Sequence, residues 1–517
     1  MKGRIYMSKQ IKVCLINPPY QPPIGQSVTI GQPLGIAYIA AMLRKKGHEI
    51  EILDAILNGW DEEKVADYIL QKNPDMIGIT LCQGAIISTK KIVETLRQKG
   101  FTSLISVGGI TATNIYDKLL TEIPEIDVVF MGEGEYSVSS LADCLAQKVP
   151  WNDITGIAYK KNEEIKCNPL NCMIEELDEL PYPADDYYDI AIDKYKIDES
   201  AILTSRGCYG NCKFCGVPNY FRKFEGHKWR RRDADQVVQE IQHMKEKWKL
   251  NIINFNGDNF FGPGKSGQSF ANDFYDKVKE KNIDIQFKIM ARANDITEPM
   301  FRKLKEIGLL NVFIGVESIN MRTLKFYNKG ITIEQITDAL ELLNFLDIDY
   351  VIGYILFDPY VTFDEIKESI AFLRKVIPYK NNKTKNINEY VNVPFGSKLE
   401  EELRVDGLLF ADNIYIGYQI TYYFANKEVQ VLSDVFYKLW TERIIPKLQY
   451  SWVNDDLAKK SILFKLSVIE RLIEMIQLNT LEQELDDYLE KDMMPKLDQL
   501  SEKILDAYIN TLREKAK

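Results

Sequence analysis

Two long series of short apolar runs, each followed by an amphipathic stretch, constrain this chain more than any other feature of it. That rhythm folds as parallel strands with helices laid over them. In the first series, strands are predicted at 11–16, 48–53, 76–81, 104–107 and 128–131, with helices at 35–46, 62–71, 89–98 and 115–121 between them. Together they make a doubly wound sheet. The second series has strands at 201–204, 251–256, 285–290, 312–315, 351–357 and 390–393, separated by helices such as 237–247 and 333–346. Six βα units in a row predict a partial (β/α)6 barrel rather than a flat sheet. In both architectures ligands bind at the carboxyl ends of the strands. Beyond 408 the strand signal stops, and 429–449, 457–477 and 481–513 carry helical spacing alone, an all-α domain. The α/β chain thus divides into a sheet domain (8–150), a linker with a small hairpin (151–197), a barrel (198–408) and a helical tail (409–517).

The chemistry concentrates in Cys208-Tyr209-Gly210-Asn211-Cys212-Lys213-Phe214-Cys215, directly after the first barrel strand. Three thiolates on one tight loop each hold one iron of a four-iron cubane, which leaves the fourth iron without a protein ligand. That open iron can chelate the amino and carboxylate groups of S-adenosylmethionine. The competing reading is a zinc site, but zinc takes four closed ligands, and the fourth would have to come from a residue such as His227. Loop position and spacing favour the cluster. Eight cysteines in 517 residues with three of them crowded together point to a metal site in a reducing compartment, not to a disulfide framework.

Acidic residues outnumber basic ones, 75 to 65, for a formal net charge of −10. This argues against a nucleic-acid partner. The short run Lys228-Trp229-Arg230-Arg231-Arg232 reads as a local anion contact. No stretch approaches the roughly 20 apolar residues of a membrane span, and 11–16 is too short for the apolar centre of a signal peptide. The expectation is a soluble, cytoplasmic protein.

The CxxxCxxC spacing, with Phe214 before the last cysteine, resembles the signature of the radical S-adenosylmethionine (radical SAM) enzymes. The wider run Thr204-Ser205-Arg206-Gly207-Cys208 looks like the methyltransferase-like branch that carries an N-terminal cobalamin (B12)-binding domain. The resemblance implies a [4Fe–4S] cluster on Cys208, Cys212 and Cys215. It also implies S-adenosylmethionine held by Phe214, Gly257, Asp258, Asn259, Arg292 and Glu317. Where the family commonly has a second acidic residue this chain has Asn259, and Phe357-Asp358-Pro359 stands for the usual Gly-x-Pro. Arg suits the carboxylate of the ligand and Glu its amino group or ribose hydroxyls; the alternative for Arg292 and Glu317 is a salt bridge with each other at the barrel rim. The segment Val393-Pro394-Phe395-Gly396-Ser397 looks like a degenerate closing Pro-Gly-Thr motif.

The resemblance continues through Asn17-Pro18-Pro19, Gly78-Ile79-Thr80-Leu81, Val107-Gly108-Gly109 and Gly132-Glu133-Gly134-Glu135. It implies a Rossmann-like domain in which Thr80, Leu81, Gln83, Gly108, Gly109, Gly132, Glu133 and Gly134 border the nucleotide tail of cobalamin. The Asp-x-His-x-x-Gly turn of mutase-type cobalamin proteins is absent. His48, His227 and His243 are the only histidines, and His48 reads as a solvated turn residue. The function implied is reduction of the cluster, cleavage of S-adenosylmethionine to a 5′-deoxyadenosyl radical, hydrogen abstraction, and C-methylation from methylcobalamin. Partners would be a small-molecule or peptide substrate and an electron donor such as flavodoxin or ferredoxin. Relatives also perform cyclisation, ring contraction or oxidative ring closure. Two further readings stand beside it. A methylthiotransferase would draw a second cluster from Cys14, Cys82 and Cys144. A non-catalytic corrinoid or metal-binding protein would form no 5′-deoxyadenosine. Tyr415, Tyr418, Tyr422, Tyr423 and Phe424 are expected to pack the core or, as the alternative, to line a substrate entrance.

Overall fold

The computed structural model describes residues 10–20, 22, 30–170, 173–410, 415, 421–448 and 450–515; the start of the first predicted domain and Tyr418 lie outside them. The first strand–helix series forms one sheet from β1 (Lys12–Asn17), β2 (Glu49–Asp54), β3 (Met76–Thr80), β4 (Leu104–Gly108) and β5 (Val128–Phe130), all parallel. The order β2-β1-β3-β4-β5 reverses direction between β1 and β3, which opens a crevice at the strands' carboxyl ends. The hairpin β6 (Ile157–Lys161) and β7 (Glu164–Cys167) does not stand in a separate linker. It adds to β5 in antiparallel fashion and extends the same sheet to seven strands.

The barrel runs β8 (Glu199–Ile202), β11 (Ile252–Phe255), β12 (Gln286–Arg292), β13 (Leu309–Glu317), β14 (Asp349–Phe357) and β15 (Asn388–Tyr390), each parallel to the next and left open between its ends. A small antiparallel pair, β9 (Ser205–Arg206) and β10 (Arg230–Arg231), sits at its mouth. Phe255, Phe260, Phe270, Phe274 and Phe287 interlock beneath the covering helices with centroids 5.4–6.3 Å apart. Capping boxes at Thr332 and Thr362 fix where the helices Ile333–Phe345 and Phe363–Val376 begin.

The tail is helical, as its periodicity predicts: Lys427–Leu439, Asp455–Gln477 and Leu481–Tyr488, with Met494–Lys515 continuing the last of these. Two π turns, Trp440–Ile444 and Leu489–Met493, insert an extra residue where the alternation of apolar positions gives no warning. Tyr422 and Phe424 are buried against Phe357 and Tyr390, so these two aromatics pack the core. The tail is pinned to the barrel by Lys465, which ion-pairs with Glu389 and lies 4.2 Å from the Trp440 ring centre. Both side chains of the pair are at most 5% exposed. Removing one partner strands the other charge in the interior, so Lys465→Met should cost about 3–5 kcal/mol in urea unfolding. Changing Glu389 to Leu in the same chain should restore most of the loss.

Candidate functional site

The cysteine loop begins where β9 ends, and its shape rests on a backbone that only glycine permits. Gly207 has φ +84°, and a Cβ there would lie 1.8 Å from the Lys228 carbonyl oxygen. The loop is strapped on both sides: the Lys213 amide donates to Tyr327 O at 2.9 Å, and the Leu399 amide donates to Lys213 O at 3.2 Å. Cys212 is 8% exposed and Cys208 and Cys215 are half-buried. The Gly210 amide donates to Cys208 Sγ at 3.3 Å, and Arg292 Nη1 approaches Cys212 Sγ at 3.7 Å. Burial, with each neighbouring thiolate adding to it, pushes the Cys215 thiol up to about 12 and raises Cys208 as well. Three crowded thiols, two of them raised by burial, are a donor set suited to a cationic cluster, which offsets the charge of the thiolates together. Among the described residues no three His, Cys, Asp or Glu side chains converge as tightly as a single ion requires. His227, the candidate fourth zinc ligand, has an 85% exposed side chain bound to Glu175 at 2.8 Å.

The residues implied for S-adenosylmethionine gather at the same mouth. Phe214 packs on Tyr327 with ring centres 4.7 Å apart. Gly257 backs onto Ser205, whose Oγ would be 3.2 Å from a Cβ. Asp258 accepts from the Gly207 amide at 3.1 Å. Surrounding protein thins its solvation and raises its pKa, even though its outer face is open. Asn259 is buried: its Nδ2 donates to Asp295 Oδ2 at 3.2 Å and its Oδ1 has no partner. Asp295 also accepts from the Tyr209 hydroxyl at 2.6 Å, inside the cysteine loop. The missing second carboxylate of the sequence motif therefore has a neighbour of the right charge, supplied from the turn after β12. Arg292 and Glu317 do not pair with each other. Glu317 takes Lys329 at 2.8 Å, and Arg292 bonds the Lys329 carbonyl while facing Cys212.

A cavity of about 290 Å³ lies at the carboxyl ends of β3, β4 and β5. Thr80, Gly108, Gly109, Gly132, Glu133 and Gly134 line it. Leu81 and Gln83 are buried and do not line it; Leu81 donates its amide to Gly108 O at 2.8 Å. Glycine turns and mostly apolar walls suit a flat nucleotide-sized group pressed close to the backbone, so the donors and the space fit a cobalamin tail. Glu133 is not free to face such a tail. It accepts from Arg230 at 2.8 and 2.9 Å, from Arg206 at 3.2 Å and from the Ile174 amide at 2.7 Å. Burial works against its ionisation, but these donors hold the carboxyl below its ordinary 4.5. The basic run thus meets the protein's own acids: Arg230 meets Glu133, and Arg232 meets Asp178 and Glu240. His48 is likewise no solvated residue. Its side chain is 2% exposed and pairs with Asp143 at 3.1 Å.

Cavity and loop adjoin, since Ile110 of the cavity wall would lie 4.0 Å from a Cβ on Gly216, next to Cys215. A larger cavity, about 570 Å³, opens between the inner faces of β13 and β14 and the helical tail, with Phe313, Trp440 and Trp452 on its walls. Sequence reasoning passed over these aromatics and Asp295, and it named Arg206 and Arg230 only within longer runs, without their partners. The one available signal was a basic run facing two closely spaced acids, Glu133 and Glu135.

Comparisons with known proteins match both the sheet domain and the barrel. The B12 binding domain family matches residues 22–142 and the radical SAM superfamily residues 202–373. An uncharacterized methyltransferase of Pyrococcus horikoshii is 30% identical over 71% of this chain and 79% of its own length. The anaerobic magnesium-protoporphyrin IX monomethyl ester cyclase of Synechocystis is 26% identical over 64% and 66%. Among solved structures, the cobalamin-dependent S-adenosylmethionine radical enzyme OxsB superposes with TM-score 0.70 at 19% identity over 96% of this chain and 84% of its own. The radical S-adenosylmethionine methyltransferase TsrM of Kitasatospora setae gives 0.61 at 15% identity over 76% of each. No helix among the described residues is long and apolar enough to cross a membrane. With a B12-binding sheet domain leading into a radical SAM barrel, the chain belongs to the cobalamin-dependent radical SAM enzymes.

Proposed function

We propose that the protein methylates an unactivated carbon of a small-molecule or peptide substrate in the reducing cytoplasm, drawing electrons from a flavodoxin- or ferredoxin-like donor. The observation that carries the reading is the abutment of the three-thiol loop and the glycine-lined cavity at one barrel mouth. When bound, the cluster and cobalamin supply the chemistry: reductive cleavage of S-adenosylmethionine to a radical that removes a substrate hydrogen, and delivery of a methyl group. The chain's own residues bind and orient. Cys208, Cys212 and Cys215 hold the cluster, and Arg292, whose Nη1 faces Cys212, tempers the charge there and would turn a donor to the ligand carboxylate. Asp258 and the Asn259–Asp295 pair offer acceptors to ribose hydroxyls and an amino group. Glu317 keeps Lys329 beside it, so the two present a neutral pair to the ligand rather than a bare charge. Phe214 and Gly257 line the face on which an adenine would lie. Thr80, Gly108, Gly109, Gly132 and Gly134 give the cobalamin tail its backbone-lined slot, with Leu81, Gln83 and Glu133 as the supporting wall.

The test is anaerobic reconstitution with iron, sulfide and hydroxocobalamin, then reduction with S-adenosylmethionine present. Methylation consumes two molecules of it per turnover: one yields 5′-deoxyadenosine and methionine, the other S-adenosylhomocysteine. Equimolar 5′-deoxyadenosine and S-adenosylhomocysteine, with a product one methylene heavier, is the expected result. A cyclase, the activity named for the Synechocystis relative, would give 5′-deoxyadenosine without S-adenosylhomocysteine. Absence of both products would remove the radical reading altogether.

A further inference from the structure

The guanidinium of Arg206 leaves the barrel and enters the sheet domain. Its Nη2 donates to Glu135 at 2.6 Å and its Nη1 to Glu133 at 3.2 Å, while its Cζ stands 5.1 Å from the centre of the Tyr38 ring. Arg206, Glu133, Glu135 and Tyr38 all line the glycine-walled cavity. The three charged side chains are between 5% and 13% exposed, so the pairs act in a poorly solvated setting. Arg230, matched to Arg206 across the β9–β10 pair, grips the other side of Glu133 and the Ile174 carbonyl. Arg206 is also two residues from Cys208, with only the locked turn of Gly207 between them. The Gly207 amide is tied to Asp258, and Arg232 N to Thr204 O at 2.8 Å, so this backbone has little freedom to absorb a displacement. On the cavity side the turn at Gly132 is held just as closely, where a Cβ would meet the Phe224 ring at 2.6 Å.

We propose that Arg206 is a positioning residue that couples the two sites: what fills the cavity sets Arg206, and Arg206 sets the first cysteine of the loop. The identity of the two occupants rests on the function proposed above; the coupling itself is a separate claim. Coupling between two binding sites is reciprocal, so a cluster on the loop must tighten the cavity's grip by the factor with which a filled cavity steadies the cluster. A side chain that merely held the fold together would weaken binding equally whether or not the loop was loaded.

The experiment measures the dissociation constant of hydroxocobalamin for the full-length chain with and without its iron–sulfur cluster. In the unaltered chain, loading the cluster should tighten hydroxocobalamin about fivefold or more, the usual lower range of such couplings. In Arg206→Gln the ratio should collapse to near unity, even where both constants are weaker. Arg206→Lys keeps the charge but loses the two-pronged fork, and should retain an intermediate ratio. The iron-release rate to a chelator, with and without saturating hydroxocobalamin, should show the same pattern and does not depend on turnover. Equal constants in the unaltered chain would overturn the proposal, as would a full ratio in Arg206→Gln. Should Arg206→Gln fail to fold, the unaltered chain and Arg206→Lys still decide. Failure of the functional reading looks different: the chain then binds no hydroxocobalamin or makes no 5′-deoxyadenosine, whereas failure of the coupling leaves both intact.

Discussion

Cys212→Ala is expected to reduce 5′-deoxyadenosine formation by at least about a thousandfold, more than 4 kcal/mol of barrier at roughly 1.4 kcal/mol per decade. The size follows from the loop's construction. Cys212 is the middle donor, the most buried of the three, and the one Arg292 faces. No other described cysteine lies on this loop to replace it, since Cys14, Cys82, Cys144 and Cys167 belong to the sheet domain. A cubane bound through only two thiolates loses iron readily, so iron and acid-labile sulfide per chain should fall together with activity. Hydroxocobalamin should still bind, with the weaker constant of the cluster-free chain, because its cavity is walled by other residues, and far-UV circular dichroism should be unchanged. Retention of the cluster in this variant would contradict the assignment, as would tetrahedral zinc in the anaerobically purified protein. The same measurement separates the methylthiotransferase reading, which requires iron for a second cluster; Cys14 is buried within β1, where burial pushes its thiol up to about 12.

What the amino-acid order reveals and what it hides divide along chain separation. Strands, helices and the cysteine loop were legible because each is written within a dozen or so residues. Periodicity gives the elements, and three thiols within eight positions cannot be far apart in space. Interactions that cross domains left no such trace. Glu133 meets Arg206 and Arg230 from 73 and 97 positions away, and His48 finds Asp143 across 95. The residue types were visible, but their partners were not, so Glu133 read as a cavity border and His48 as solvated. At the barrel rim the obstacle was backbone shape. Glu317 adopts φ +63° where β13 slips register against β14, and that turn delivers its carboxylate to Lys329 instead of Arg292. Asn259 is the instructive middle case. Its departure from the acidic motif was visible, but the compensating carboxylate of Asp295 arrives from a different strand end.

The second large effect is expected from Gly207→Ala, and a control makes its cause separable. Two penalties fall on this position. One is conformational, because an L-residue at φ +84° costs on the order of 1–2 kcal/mol. The other is steric, because the new methyl would sit 1.8 Å from the Lys228 carbonyl oxygen, a backbone atom that cannot turn aside. Gly47 has a comparable φ of +92° with nothing within 4 Å of its would-be Cβ. Gly47→Ala should therefore lose only about 1–2 kcal/mol in urea unfolding and keep full iron content. Gly207→Ala should lose more than about 4 kcal/mol, in the range reserved for steric failure at a special backbone position. Relieving the clash moves Gly207 and Lys228 apart, beside the β9–β10 pair and its Arg206–Arg230 register. That movement displaces Cys208 on one side and the arginines that hold Glu133 on the other, so iron content and hydroxocobalamin affinity should fall together. If Gly207→Ala lost no more stability than Gly47→Ala, or lost iron while binding hydroxocobalamin normally, the turn would not be the hinge on which both sites hang.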